Sequence, residues 1–178
     1  MHNTILTFWF EETPSEKWWK KDEAFDALIK KRFGDLHEQA CCGELFEWRK
    51  EAKGALAEII ILDQFSRNIY RDQALAFVND SLALSLAQFA IEKGLEQSLS
   101  NTEKHFLYLP FMHSESIKIH NIAIELFTAL GNENLLGFEL KHKKIIEQFG
   151  RYPHRNQVLG RKSTAEELEF LRGPNSSF

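Results

Sequence analysis

The sequence predicts an all-α protein, an array of stacked antiparallel helices in a TPR-like or irregular arrangement. Apolar residues recur at helical spacing through most of the chain, and Gly, Asn or Ser stand where those runs break. Proline is scarce, four in 178 residues, and no stretch alternates as a half-buried strand would. The length is that of one domain with one core, residues 1–178.

Ile5, Leu6, Phe8, Trp9 and Phe10 form a short apolar element that ties the N-terminus to the core. Phe25, Leu28, Ile29, Phe33, Leu36 and Ala40 mark an amphipathic helix from Asp22, with Gly43 as its stop. The run GALAEIIILDQF, from about Glu51, is apolar on most sides and therefore reads as a central buried helix. Asn79 or Asp80 can cap SLALSLAQFAIEK before Gly94, and Ser100 or Asn101 opens TEKHFLYL, cut by Pro110. Helices follow over ESIKIHNIAIELFTALG and, from about Asn134, over LLGFELKHKKIIEQF to Gly150. Ser163 and Glu166 fit a capping box for the last helix.

The most informative feature is a repeat. LDQFSRNIYR at Leu62 to Arg71 aligns without gaps with IEQFGRYPHR at Ile146 to Arg155. Asp63 matches Glu147, Gln64 matches Gln148, Arg67 matches Arg151 and Arg71 matches Arg155; in each copy an apolar helix ends in acid-Gln-Phe and then turns. Two readings compete. Arginine near a helix C-terminus, with an acid four residues ahead, makes a stabilising corner. Alternatively four guanidinium forks, matched to carboxylate or phosphate, line one positively charged pocket. On that leading reading Arg67, Arg71, Arg151, Arg155, Gln64, Asn68, Gln148, Asn156 and Glu115 bind a small anionic ligand. In its enzyme version His154 or His113 is the general acid or base, oriented by Asp63 or Glu147. The shared pocket requires the two copies to meet in space.

Net charge is -4, which argues against nucleic acid and anionic membranes as partners. No apolar run approaches the roughly 20 residues that cross a bilayer, and the start lacks a secretory signal, so the expected location is cytoplasmic. Cys41 and Cys42 are adjacent, match no zinc pattern and read as buried, reduced residues. Glu139 and His142 make one Glu-x-x-His, half of a carboxylate-bridged metal site, and no second half is present, so no metal is assigned. His37, His105 and His120 read as isolated. No nucleotide, hydrolase or protease signature names a cofactor.

FWF at Phe8 to Phe10, LDQFSRNIYR, YLPFMHSE, FGRYPHRN, LGR and the closing capped helix resemble DUF924, a bacterial family of unknown function. The resemblance runs nearly end to end and implies a TPR-like fold. Its motifs fall on Asp63, Gln64, Arg67, Asn68, Arg71, His113, Glu115, Arg151, His154, Arg155 and Asn156. Ser66 stands where the family's DQFPRN-like string has proline, which removes a rigid turn. The alternative function is a protein-binding module in which the arginine motifs are structural helix-end corners.

Overall fold

The computed structural model describes residues 1–174 and residue 176. Among them the structure is helical and contains no strand, as the periodicity predicts. The chain divides into two compact units, Met1–Arg71 with Leu75–Pro110, and Asp72–Ala74 with Phe111–Phe178.

Unit 1 begins with α1 (His2–Thr7), which runs on into a π-helical turn, Phe8–Glu12. α2 (Glu23–Cys41) starts where expected, because the Asp22 carboxylate accepts a bond from the Phe25 N–H. α3 (Ala52–Ile60), a π-helical turn (Ile61–Phe65) and α4 (Ser66–Ile69) form one continuous central rod. Gly54 is required in that rod, since a Cβ there would sit 2.2 Å from the Trp48 carbonyl oxygen. Ile59, Ile60, Ile61, Leu62 and Phe65 are wholly buried. Rings pack around them: Phe33 lies 5.3 Å from Phe65, and Trp9 lies 5.5 Å from Phe65 and 5.7 Å from Phe106. Glu58, also wholly buried, is offset by a two-pronged bond from Arg49, both contacts 2.7 Å.

The rod departs from expectation at its end. The helix does not turn after Phe65 but continues to Ile69, because Ser66 has the N–H that proline lacks and its hydroxyl bonds the Leu62 carbonyl at 2.6 Å. α5 (Asp80–Glu92) and α6 (Asn101–Met112) follow, and the boundary of unit 1 falls inside α6, after Pro110. Pro110 does not cut α6; it lies inside the last turn. Ala74–Glu92 is 19 residues long and apolar enough by composition to cross a bilayer, a run the sequence reading missed. It is broken at 77–79, and Ala83, Leu86, Ala87 and Ala90 of its helix are buried within unit 1.

Unit 2 contains α7 (Ile117–Ala129), packed against α8 (Glu133–Phe149), and α9 (Ala165–Arg172). α8 stops at Gly150, in the left-handed region at φ 67°, and the chain enters the turn Pro153–Arg155. Ile145, Ile146 and Tyr152 form a small core joined by Phe149 and Phe170. The capping box of α9 lies one residue later than the sequence suggested, on Thr164 and Glu167.

Candidate functional site

The two arginine segments lie in different units, and each has its own set of partners. In unit 1 the Arg67 fork grips Asp80, at 2.9 and 3.0 Å, and is 3.2 Å from Asp63. Arg71 grips Asp26, at 2.5 and 2.8 Å, and Asn68 donates to the same carboxylate at 2.8 Å. Gln64 donates to Asp63 at 2.5 Å. Asp26 and Asp80 are distant in sequence, so the positive excess expected from the motif alone is offset by carboxylates that the motif does not contain. Both forks of this copy end on carboxylates of unit 1.

In unit 2 the match is only partial. Arg151 is not paired with Glu147, four residues back, but with Glu167 on α9, at 2.6 and 2.8 Å. Asn156 donates to the same carboxylate at 3.2 Å. The Arg151 bond, aided by the Thr164 N–H, brings the Glu167 acid down to about 2. Glu147 is exposed and faces Lys143 at 3.5 Å. Gln148 is also exposed and lines an open cavity of about 440 Å³ with Glu166 and Glu169, an acidic setting unsuited to an anion.

The remaining motif residues of unit 2 gather around Tyr152. The Arg155 guanidinium, largely buried, lies 4.6 Å over the Tyr152 ring, with His154 at 5.5 Å and His142 at 5.8 Å between ring centres. α7 begins at Ile117 and not at Glu115 as the sequence suggested, so Glu115, like His113, occupies the link after α6. Glu115 accepts from the Tyr152 N–H at 2.7 Å and from both prongs of Arg161, at 2.6 and 2.9 Å. Burial works against the Glu115 carboxylate, but Arg161 and the Tyr152 N–H outweigh it, with the Arg155 charge adding to them, and hold it below the ordinary range. Arg161 is the residue sequence reasoning missed, although LGR was part of the resemblance.

Beneath this corner is a buried polar pair. His120 and Glu139 are wholly buried and 2.6 Å apart. The other His120 nitrogen is 2.8 Å from the Ser114 carbonyl and 3.2 Å from the Tyr152 hydroxyl. Burial raises the Glu139 acid from its ordinary value, with the His120 bond acting against it. His120 is therefore not isolated, and Glu139 turns toward it rather than acting with His142. His142 donates to the Phe138 carbonyl at 2.8 Å; burial drives it down to about 3, and the nearby charges of His113, His120 and His154 act the same way. Among the described residues no group of three His, Cys, Asp or Glu side chains is placed to hold a metal ion.

The comparisons agree with this architecture. The model of a family described as "Bacterial protein of unknown function (DUF924)" matches residues 5–175. A solved structure titled as that of the protein of unknown function ATU0120 from Agrobacterium tumefaciens is 40% identical, with 97% of each chain covered and a TM-score of 0.92. No curated protein matches. The family match over nearly the whole length, with that structural likeness, shows that this chain belongs to the DUF924 family of bacterial proteins of unknown function.

Proposed function

We propose that the protein binds a small acidic ligand, phosphorylated or carboxylated, in the cytoplasm, at the unit 2 corner formed by Arg155, His113, His154 and Tyr152, with Arg161 committed to Glu115. One observation supports this reading above the others: the charges of Arg161 and Arg155 act on the single Glu115 carboxylate, while the rings of His154, His142 and His120 lie 5.5, 5.8 and 6.3 Å from that of Tyr152, beneath Arg155. Guanidinium planes and imidazole N–H groups together suit a planar or tetrahedral anion. Arg67, Arg71 and Arg151 hold internal carboxylates and serve the fold. In the enzyme version His154 or His113 moves the proton. Asp63 and Glu147 are engaged with Arg67 and Lys143, and the carboxyl that orients an imidazole is Glu139, on His120.

A thermal-shift screen against phosphorylated and carboxylated metabolites at fixed salt and pH tests the proposal. A ligand at 100 times its Kd adds about 2.7 kcal/mol, which raises the midpoint of a domain this size by roughly 5 to 10 °C. The shift should disappear in a folded Arg155→Gln variant. A shift that survives in that variant, or no shift from any compound, overturns the assignment.

A further inference from the structure

At the unit 2 corner three guanidiniums share two carboxylates. Arg151 grips Glu167 with two prongs, at 2.6 and 2.8 Å, and the two charges cancel. Arg161 gives both prongs to Glu115, at 2.6 and 2.9 Å, and also reaches the Tyr152 carbonyl at 3.1 Å. Arg155 is the third guanidinium, and its charge acts on the same Glu115. Among these described residues one positive charge is therefore left over. The lysines near the corner do not add to it at short range: Lys143 faces Glu147 at 3.5 Å, and Lys162 is exposed, where water and salt screen it.

Tyr152 holds the opposing charges close together. Its N–H donates to the Glu115 carboxylate at 2.7 Å, and its ring lies 4.6 Å beneath the Arg155 guanidinium. An anion that reaches Arg155 thus comes to rest near a carboxylate that is already ionised, since Arg161 and the Tyr152 N–H hold the Glu115 acid below its ordinary range against the effect of burial. Arg155 is itself largely buried, so repulsion there is weakly screened. His142 contributes no charge, because burial drives it down to about 3.

We infer that this corner selects a monoanionic carboxylate over a dianionic phosphate monoester, with Glu115 as the residue that rejects the second negative charge. The inference rests on the anion site proposed above and names its ligand class. A monocarboxylate balances the one surplus positive charge, and its two oxygens match the guanidinium fork. A phosphate monoester carries close to two negative charges above its second pKa, near 6, and leaves one of them uncompensated beside Glu115. At a separation of about 6 Å and an effective dielectric constant of about 20, that repulsion weakens binding by roughly tenfold to a hundredfold.

The test uses matched pairs that share a carbon skeleton, benzoate with phenyl phosphate and acetate with methyl phosphate, at pH 8 and constant ionic strength. At that pH the monoesters are dianions and an ordinary imidazole is uncharged. Dissociation constants come from the dependence of the thermal midpoint on ligand concentration. In each pair the carboxylate should bind at least tenfold more tightly than the phosphate, and Arg155→Gln should abolish both shifts. Glu115→Gln keeps an acceptor for the Tyr152 N–H and removes the charge; it should strengthen the phosphates at least tenfold relative to their carboxylates. Wild-type protein that binds the phosphates as well as or better than the carboxylates, in a manner lost in Arg155→Gln, overturns the selectivity and leaves the anion site standing. A folded Glu115→Gln variant with an unchanged ratio overturns Glu115 as its cause. No shift from any of the compounds overturns the site and the selectivity together. The wild-type comparison decides the selectivity even where Glu115→Gln fails to fold.

Discussion

Replacing Tyr152 with Phe isolates one bond on which unit 2 depends. The Tyr152 ring is wholly buried, and its hydroxyl donates to the Met112 carbonyl at 2.5 Å. Met112 is the last residue of α6, so that carbonyl is among those without a partner inside the helix. Tyr152→Phe leaves ring packing and the Arg155 stack in place and removes only the hydroxyl, which also lies 3.2 Å from His120 Nε2. A buried carbonyl left unsatisfied costs about 1 to 3 kcal/mol, and His120, which keeps the Ser114 carbonyl, limits the loss. The expected destabilisation is about 2 kcal/mol, or roughly 4 to 8 °C in Tm. Urea unfolding of both proteins, with unchanged m-value, measures it directly. A loss below about 0.5 kcal/mol would refute the reasoning, because it would mean the Met112 carbonyl finds water or another donor at no cost.

Acid should weaken the fold through His142. Its folded pKa lies near 3, below the ordinary value, so the unfolded chain binds the extra proton. Stability is then full above about pH 6.5 and falls by about 1.4 kcal/mol per pH unit as pH drops toward 3. His142→Asn, whose amide can replace Nδ1 at the Phe138 carbonyl, should flatten that slope in urea titrations; an unchanged slope would place the titration elsewhere. Glu139, raised by burial, works in the opposite direction, its stabilising contribution being lost as pH rises through its raised pKa. Arg151→Lys should move the Glu167 titration up from about 2 toward the ordinary carboxylate range, followed by carboxyl carbon NMR, since an ammonium cannot reproduce the two-pronged bond. An unmoved Glu167 would show that the Thr164 cap and Asn156 hold it without Arg151.

Local rules explain why so much of the architecture was legible from the residues. Apolar spacing located the central rod, Asp22 and Gly150 marked helix ends, and Gly43 and Gly94 stopped theirs through positive φ. The misses were local contests decided by distant residues. Thr164 rather than Ser163 caps α9 because the capping glutamate is Glu167, the one that Arg151 and Asn156 hold. Asn79 forgoes its cap for the Cys41 sulfur, and Cys42, expected to be buried, is exposed.

The sequence by itself determined the all-α class and the order of the helices, because periodicity, caps and residue type act over a few positions. Partner choice was decided only by the tertiary structure. A guanidinium bonds whichever carboxylate packing brings to it, and Asp80, Asp26 and Glu167 lie 13, 45 and 16 positions from Arg67, Arg71 and Arg151. The same holds for His37, whose Nε2 meets a hydroxyl 29 residues away, and for His120, whose Nδ1 meets a carboxyl on the next helix. Sequence spacing carries no information about such contacts, since they exist only once the helices have packed.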